Sequence, residues 1–326
     1  MGYINLQVTS MVRVALRADR YVVGVDGGAT KTIALIGTED GTVLGRGTSG
    51  SSNYHNVGSA AASMAIKDAV KEARKRAGIR AGKVEVAAVA LAGLDSPRDE
   101  ANALRFVRSV KIARTSLTVH DTLAYLRAAT HGRPGIVVNS GTGSVAAGTN
   151  KAGDYTRAGG WGYLVDDEGS AYDIGMKALR SAFRMIDGRT PKTKLTTILM
   201  RRLRVRRLEN VLSTIYSGKL GVDGIAALSP LVSASAETDK ICREILNKAG
   251  VTLAELACVV SKRLGMTRDA FPIVLVGGTF KSGRYLLQPL KARVREECPR
   301  ARVKIMKVEP ALGAFSIAVS ELAKRN

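Results

Sequence analysis

Within seven residues, Asp26-Gly27-Gly28-Ala29-Thr30-Lys31-Thr32 gathers one carboxylate, two adjacent glycines, two hydroxyls and one ammonium. Glycines carry no Cβ, so their backbone N–H groups can close on an anion. The threonines and Lys31 add donors and positive charge, and Asp26 can face a hydrated divalent cation. This is the chemistry of a phosphate cradle with a magnesium-side carboxylate. The segment does not fit the pattern G-x-x-x-x-G-K-[ST], because Thr30 precedes the lysine. The next residues, Ile33 to Ile36, are apolar and run to the turn signal Asp40-Gly41, not into a helix. A strand–turn–strand phosphate site points away from P-loop and dinucleotide folds, although an ordinary hairpin turn stays open on this segment alone. Residues 135 to 148 repeat the grammar: the apolar run Gly135-Ile136-Val137-Val138, the turn Asn139-Ser140-Gly141-Thr142-Gly143-Ser144, and a returning strand to Gly148. Two such cradles suggest two similar half-domains facing one nucleotide.

The elements that must position these turns follow from periodicity. Tyr21 to Gly47 reads as three strands joined at Gly27-Gly28 and Asp40-Gly41. Residues 59 to 77 form a helix, with Ile66, Val70, Ala73 and Ala77 on one face and Gly78 at its stop. A buried strand over 84 to 92, a helix from Pro97 to Val110, a short strand over 116 to 119 and a helix over 122 to 129 that Asp121 can cap come next. After the second cradle the period is helical, near 170–187, 192–203, 207–216, 222–233 and 236–264. The β pattern returns at Pro272 to Val276, followed by Gly277-Gly278-Thr279, a helix, a strand near 303–308 and a closing helix after Pro310.

Composition bounds the function. The 326 residues are 45% apolar, enough for two cores, and no apolar run reaches the length of a membrane span. The N-terminal arginines are spread among polar positions, without a cleavable apolar segment, which leads to the expectation of a soluble, cytoplasmic protein without a membrane partner. Cys242, Cys258 and Cys298 are too few and too widely spaced for a disulfide framework or a C-x-x-C metal site, and the three histidines have no metal-ligand spacing. The net charge of +22 invites a nucleic-acid reading. Its basic clusters, 71–80 and 201–207, are not interleaved with stacking aromatics and read as solvated faces, so no specific nucleic-acid partner is expected. Two glutamines in the whole chain, beside 24% charged residues, lean toward a thermophile.

The order of motifs resembles the hexokinase, actin and heat-shock-protein ATPase superfamily. Within it, the chain resembles the N-acetylglucosamine kinase branch grouped with the BadF/BadG/BcrA/BcrD-type ATPases. Asp26 to Thr32 matches the first phosphate motif, Asn139 to Ser144 the second, Val274 to Phe280 the adenosine motif, and Glu309-Pro310-Ala311-Leu312-Gly313-Ala314 the second connecting helix. Ser52-Asn53-Tyr54-His55-Asn56 resembles the sugar-contacting loop. Gly159 to Tyr172, including Trp161 and Asp166-Asp167-Glu168-Gly169-Ser170, resembles the family's glycine-tryptophan to aspartate-glutamate-glycine-serine stretch.

The resemblance implies an α/β fold of two ribonuclease H-like (actin-like ATPase) domains around an interdomain cleft. Residues 1–20 would be an extension and 21–130 the N-terminal domain, on which the closing helix 312–326 packs. The C-terminal domain, 131–311, would carry a helical insertion. It also implies an ATP-dependent kinase that transfers the γ-phosphoryl to a hydroxyl, at C6, of a hexose or N-acetylhexosamine, with ATP and Mg2+ as cofactors. Phosphoryl transfer needs charge neutralisation and in-line positioning, plus a group that accepts the alcohol proton. Asp121, following a strand and opening a helix between the two cradles, is the candidate base; its plain alternative is a helix cap. Asp26 would orient hydrated Mg2+, with Gly27, Gly28, Thr30 and Lys31 along the phosphates and Gly141, Thr142 and Gly143 on their other side. Gly277, Gly278 and Thr279 would admit adenosine, with Phe280 on the base or in the core. Asn53, Asp121, Ser144, Gly160, Trp161, Gly162 and Asp167 would face the sugar, although Trp161 reads chiefly as packing that fixes its loop. The ROK zinc signature is missing. A homodimer stays open, as does a second reading, an ATPase that activates a CoA-ester dehydratase or reductase, although the cysteines lack that group's iron–sulfur pattern.

Overall fold

Val22 to Val25 and Ile33 to Ile36 are apolar on both faces, so the hairpin they form must be covered on both. A computed structural model describes residues 20–325 except Ala29 and Asp95, and the side chain of His55 is likewise outside the description. The expected N-terminal extension lies outside the described residues but for Arg20. Strands β1 (Arg20–Gly27) and β2 (Thr32–Gly37) pair antiparallel, with Asp26 opposite Ile33 and Gly27 opposite Thr32. With β3 (Val43–Ser49), β4 (Lys83–Leu91) and β5 (Thr115–His120) they make a sheet of order β3-β2-β1-β4-β5, in which β1, β4 and β5 are parallel.

Alternation along β1 divides the core. Tyr21, Val23 and Val25 pack with α1 (Tyr54–Arg76) and α2 (Pro97–Val110). Val22, with Ile33, Val86 and Ala88, packs against α3 (Asp121–Thr130) and the closing helix (Pro310–Ala323). That helix lies flush on its neighbours: a Cβ on Gly24 would sit 2.1 Å from the Phe315 nitrogen, and one on Gly313 would sit 1.8 Å from the Ala124 oxygen. Glycine at both places lets one helix brace the strand that carries Asp26 and the helix that starts at Asp121. Helix α1 begins earlier than its periodicity suggests, at Tyr54, and bends at Gly58, whose φ of 78° is open to glycine.

The second sheet repeats the first. β6 (Gly135–Ser140), β7 (Ser144–Thr149), β8 (Tyr155–Gly159), β9 (Pro272–Val276) and β10 (Arg302–Ile305) run in the order β10-β9-β6-β7-β8, with β6 in the place of β1. Strand β8 has no counterpart in the sequence reading, because it is short, lies at the sheet edge and is only partly buried. The expected single helix over 222–233 is two. After α4 (Ala171–Ile186), α5 (Lys194–Leu203) and α6 (Asn210–Tyr216) come α7 (Val222–Ala226) and α8 (Ser229–Ser235), the break falling just before Pro230, which cannot donate to a preceding turn. Helices α9 (Lys240–Arg263) and α10 (Arg284–Glu297) complete the layer, with a 3-10 turn at Gly278–Ser282.

The chain divides into two compact units: the described residues up to Gly132 together with those from Val308 on, and Arg133–Lys307. Among the described residues no helix is long and apolar enough to cross a membrane.

Candidate active site

In the first unit, β1, β4 and β5 end on the same edge of the sheet, where open α/β sheets bind their ligands. Asp26 is at the end of β1, and Asp121 directly follows β5. Asp26 is pushed up to about 6, first by burial and then by the negative charge of Asp121, with Glu309 adding to the rise and the Lys31 ammonium opposing it. A half-buried carboxylate whose ionised form is disfavoured in this way suits a hard cation, which would relieve both causes.

Asp121 is the first residue of α3, and His120, not Asp121, occupies the cap position. The Thr122 N–H donates to Asp121 Oδ1 at 2.7 Å and approaches His120 Nδ1 at 3.2 Å, while His120 Nδ1 lies 2.8 Å from Asp121 Oδ1. The carboxylate is thereby held in one orientation at a helix N-terminus. One turn further along α3, Tyr125 has its phenol pushed up to about 12 by burial and by the charges of Asp26 and Asp121, so it is a neutral hydroxyl beside both acids. The sequence pattern assigns no role to Tyr125 or Glu309. The spacing of Asp121 and Tyr125, four apart on a helix, was the available signal. Glu309 also pairs with Arg46 at 3.0 Å.

The loop carrying Asn53 is fastened to the first cradle. The buried Thr32 hydroxyl donates to the Gly50 carbonyl at 2.7 Å and lies 2.8 Å from Ser52 Oγ, and the Ser52 N–H donates to the Gly28 carbonyl at 3.3 Å. The Asn53 N–H donates to Ser51 Oγ at 3.3 Å. Gly28 closes its own turn by donating to the Lys31 carbonyl at 3.0 Å, and Thr30 and Lys31 are exposed at its tip. Gly27 is buried, and a Cβ there would meet Leu91 and Ser52 within 2.8 Å.

In the second unit the cradle Gly141-Thr142-Gly143 joins β6 to β7, and residues 159–172 lock onto it. The Ser140 hydroxyl donates to the Gly169 carbonyl at 3.1 Å, the Ser144 hydroxyl to the Glu168 carbonyl at 2.7 Å, and the Ala171 N–H to the Gly141 carbonyl at 2.8 Å. Asp167 is buried in a left-handed conformation, φ 58°, and accepts from the Ser144 N–H at 3.3 Å. Burial raises its carboxyl, with Asp166 adding to the rise and the Ser144 and Gly162 amides opposing it. Ser144 is itself buried, its hydroxyl engaged inside the loop, and Phe280 belongs to the core. Trp161 departs from the packing expectation. It is 59% exposed, with the Arg157 guanidinium 4.7 Å from its ring centroid, and its neighbours Leu164 and Val165 are more than 80% exposed. The exposure follows from the glycines around it: Gly159, Gly160 and Gly162 all have positive φ and turn the segment outward.

Beside this cradle a pocket of about 570 Å3 is lined by Gly141, Thr142, Asp223, Pro230, Gly278 and Lys281, among others. Thr279 is buried, its hydroxyl 3.5 Å from the Gly141 carbonyl. Gly277 lines the turn so closely that a Cβ would sit 2.1 Å from the Ser140 oxygen. Asp223, which accepts from the Thr142 hydroxyl at 3.3 Å, was missed by sequence reasoning. It lies 81 residues away in a helix of its own, and nothing in its neighbours marks it.

Two like sheets of order 3-2-1-4-5, each with a glycine-rich turn between its first two strands, define an α/β protein of two actin-like ATPase domains. The chain belongs to the BadF/BadG/BcrA/BcrD ATPase family, which it matches over residues 23–318. It is 31% identical to an N-acetylmuramic acid/N-acetylglucosamine kinase of Clostridium acetobutylicum, over 93% of this chain and 99% of that one. It is 32% identical to an N-acetyl-D-glucosamine kinase of Dictyostelium discoideum, over 91% and 97%. A candidate N-acetylglucosamine kinase of Chromobacterium violaceum has a similar structure, with a TM-score of 0.75, 26% identity, and coverage of 92% of this chain and 99% of that one.

Proposed function

We propose that this protein is an ATP-dependent sugar kinase that moves the γ-phosphoryl of ATP to the C6 hydroxyl of an N-acetylhexosamine or a closely related hexose. N-acetylglucosamine is the first sugar to test, because two relatives that match nearly the whole chain are named for it. The observation that carries the reading is the pair of neighbouring carboxylates in the first unit, one at a strand end beside a phosphate-type turn and the other oriented at a helix N-terminus.

In this reading Asp121 accepts the proton of the attacking sugar hydroxyl, the bridging oxygen between β- and γ-phosphorus leaves with ADP, and His120 and Thr122 keep the Asp121 carboxylate aimed. Asp26 would hold hydrated Mg2+ from the protein side. When bound, the ion supplies neutralisation of the phosphate oxygens. Tyr125 remains protonated and can donate to water or substrate beside the two acids. Gly28, Thr30 and Lys31 in the first unit and Gly141, Thr142 and Gly143 in the second supply donors to phosphate oxygens. The pocket beside Gly278 and Thr279 takes adenosine, its volume lying in the range of small-molecule sites. Asn53, Gly160, Trp161, Gly162 and Asp167 address the sugar.

The test is coupled ADP release with glucose, mannose, glucosamine and N-acetylglucosamine. The expected result is a turnover that rises steeply with one of the acetamido or amino sugars and stays near zero without sugar. ATP hydrolysis indifferent to every sugar would remove the kinase reading.

A further inference from the structure

The second unit holds another concavity that the kinase chemistry does not use. A pocket of about 510 Å3 opens between α4 and α6, floored by Leu179 and Phe183 from α4 and by Leu212 and Ile215 from α6. Its charged lining is cationic, Arg180, Arg184 and Arg189, with Tyr216 at its edge and no acidic side chain among the lining residues. Arg189 is paired with Asp187. Arg180 and Arg184 are exposed and lie four residues apart on one face of α4, and among the described residues neither has a carboxylate within ion-pair distance. The surroundings reinforce the charge. Between Lys177 and Lys219 the chain carries twelve lysines and arginines against Asp187 and Glu209 alone.

An apolar floor of this size under two unpaired guanidiniums is complementary to a narrow chemical class. A neutral apolar molecule would leave the guanidiniums without a partner, and a compact anion such as phosphate would leave the floor uncovered. The geometry points to a binding site for an amphiphilic anion, a carboxylate on an aliphatic body, with the head on Arg180 and Arg184 and the body on Leu179, Phe183, Leu212 and Ile215. A guanidinium fork matches a carboxylate bidentately, and the aliphatic body removes apolar surface from water. The site is separate from the kinase reading and stands or falls by a binding measurement alone.

The experiment is calorimetric titration of the full chain with decanoate, kept below its micelle concentration, alongside 1-decanol. The expected result is saturable one-to-one binding of decanoate, at least about tenfold tighter than decanol. Arg184→Glu and Leu212→Asp should each weaken it about tenfold or more, since one removes the head contact and the other places a carboxylate on the floor. Both positions are exposed, and a circular-dichroism melt checks that the variants fold; Arg180→Gln serves as the replacement if one does not. Absence of saturable decanoate binding, equal affinity for decanol, or binding untouched by the variants would each overturn the site. Binding to phosphatidylglycerol vesicles without binding of monomeric decanoate would also overturn it, in favour of a basic membrane-facing surface.

Discussion

The two sheets share strand order and register, yet they put opposite chemistry at the same place. Asp26 pairs with Ile33 in β2 and Ala90 in β4, one position before the end of its strand. Asn139 pairs with Val145 in β7 and Val276 in β9, one position before the end of its own. A carboxylate therefore stands in the first unit where its neutral amide counterpart stands in the second. Around Asp26 lie Asp121, Glu309 and Lys31; after Asn139 come Ser140, Gly141, Thr142 and Gly143, and the acids beside that turn are engaged, Asp167 by the Ser144 N–H and Asp223 by the Thr142 hydroxyl. The topology is the same at both places, and the residue at one register decides whether a carboxylate or a neutral amide stands there.

The largest expected break in this contrast is Asp121→Asn. It preserves shape and the first turn of α3 but removes the proton acceptor, so kcat for sugar phosphorylation should fall roughly 10²- to 10⁴-fold while the melting curve hardly changes. A loss below about fivefold would remove Asp121 from the role of base.

Asp26→Asn makes the first turn resemble the second directly. If Asp26 holds the hydrated ion, the concentration of Mg2+ giving half-maximal rate should rise about 10- to 100-fold. The same variant should be more stable than the parent at neutral pH. The Asp26 pKa is raised from 3.8 to about 6 on folding, so the folded protein binds more protons between those values, and its stability falls as pH climbs through that window. Above pH 6 the ionised Asp26 costs the fold up to about 3 kcal/mol, taking 1.36 kcal/mol per pKa unit. Chemical denaturation at pH 8 should show that gain in Asp26→Asn, and the gain should shrink toward zero as pH falls to 4. A variant that is less stable at pH 8 would show that Asp26 is structurally supported and not strained by burial.

How much of this was legible in the chain depends on how local each signal is. Both cradles are short, polar, glycine-rich runs between apolar strands, and periodicity places them without help from the rest of the fold. Asp121 is legible because a strand ends and a helix starts around it. Glu309 and Asp223 are not, because each acquires its role by being carried beside a distant residue: Glu309 beside Asp26 by the closing helix, Asp223 beside Thr142 by a helix that periodicity merged with its successor. The exposure of Trp161 was also hidden, since a lone tryptophan ordinarily signals packing and three positive-φ glycines override that preference here.

Two glycines of the second unit sharpen the comparison at a smaller scale. Gly277 has φ 117° and no room for a Cβ against the Ser140 oxygen, so Gly277→Ala should cost about 3 kcal/mol through strain and collision. Gly141 has no neighbour that an added Cβ would meet, so Gly141→Ala should leave the denaturation midpoint almost unchanged and raise KM for ATP. If the two variants instead lose the same stability, the close contact at Gly277 is not what shapes that turn.

The smallest effect concerns the tether of the first cradle, whose counterpart in the second unit follows the equivalent strand but makes other bonds. There the cradle is gripped by the segment that follows β8, whereas in the first unit it is gripped by the loop between β3 and α1, through Thr32, Ser52 and the Gly28 carbonyl. Ser52→Ala removes one buried hydroxyl partner and should cost about 1 kcal/mol. Because the Asn53 loop and the Gly28 turn share that contact, KM for sugar and KM for ATP should rise together, while Asn53→Ala should raise the sugar KM alone. A Ser52→Ala enzyme altered in only one of the two would mean that the loop and the turn are positioned independently, and that the bond between Thr32 and Ser52 fills space without joining the two substrates.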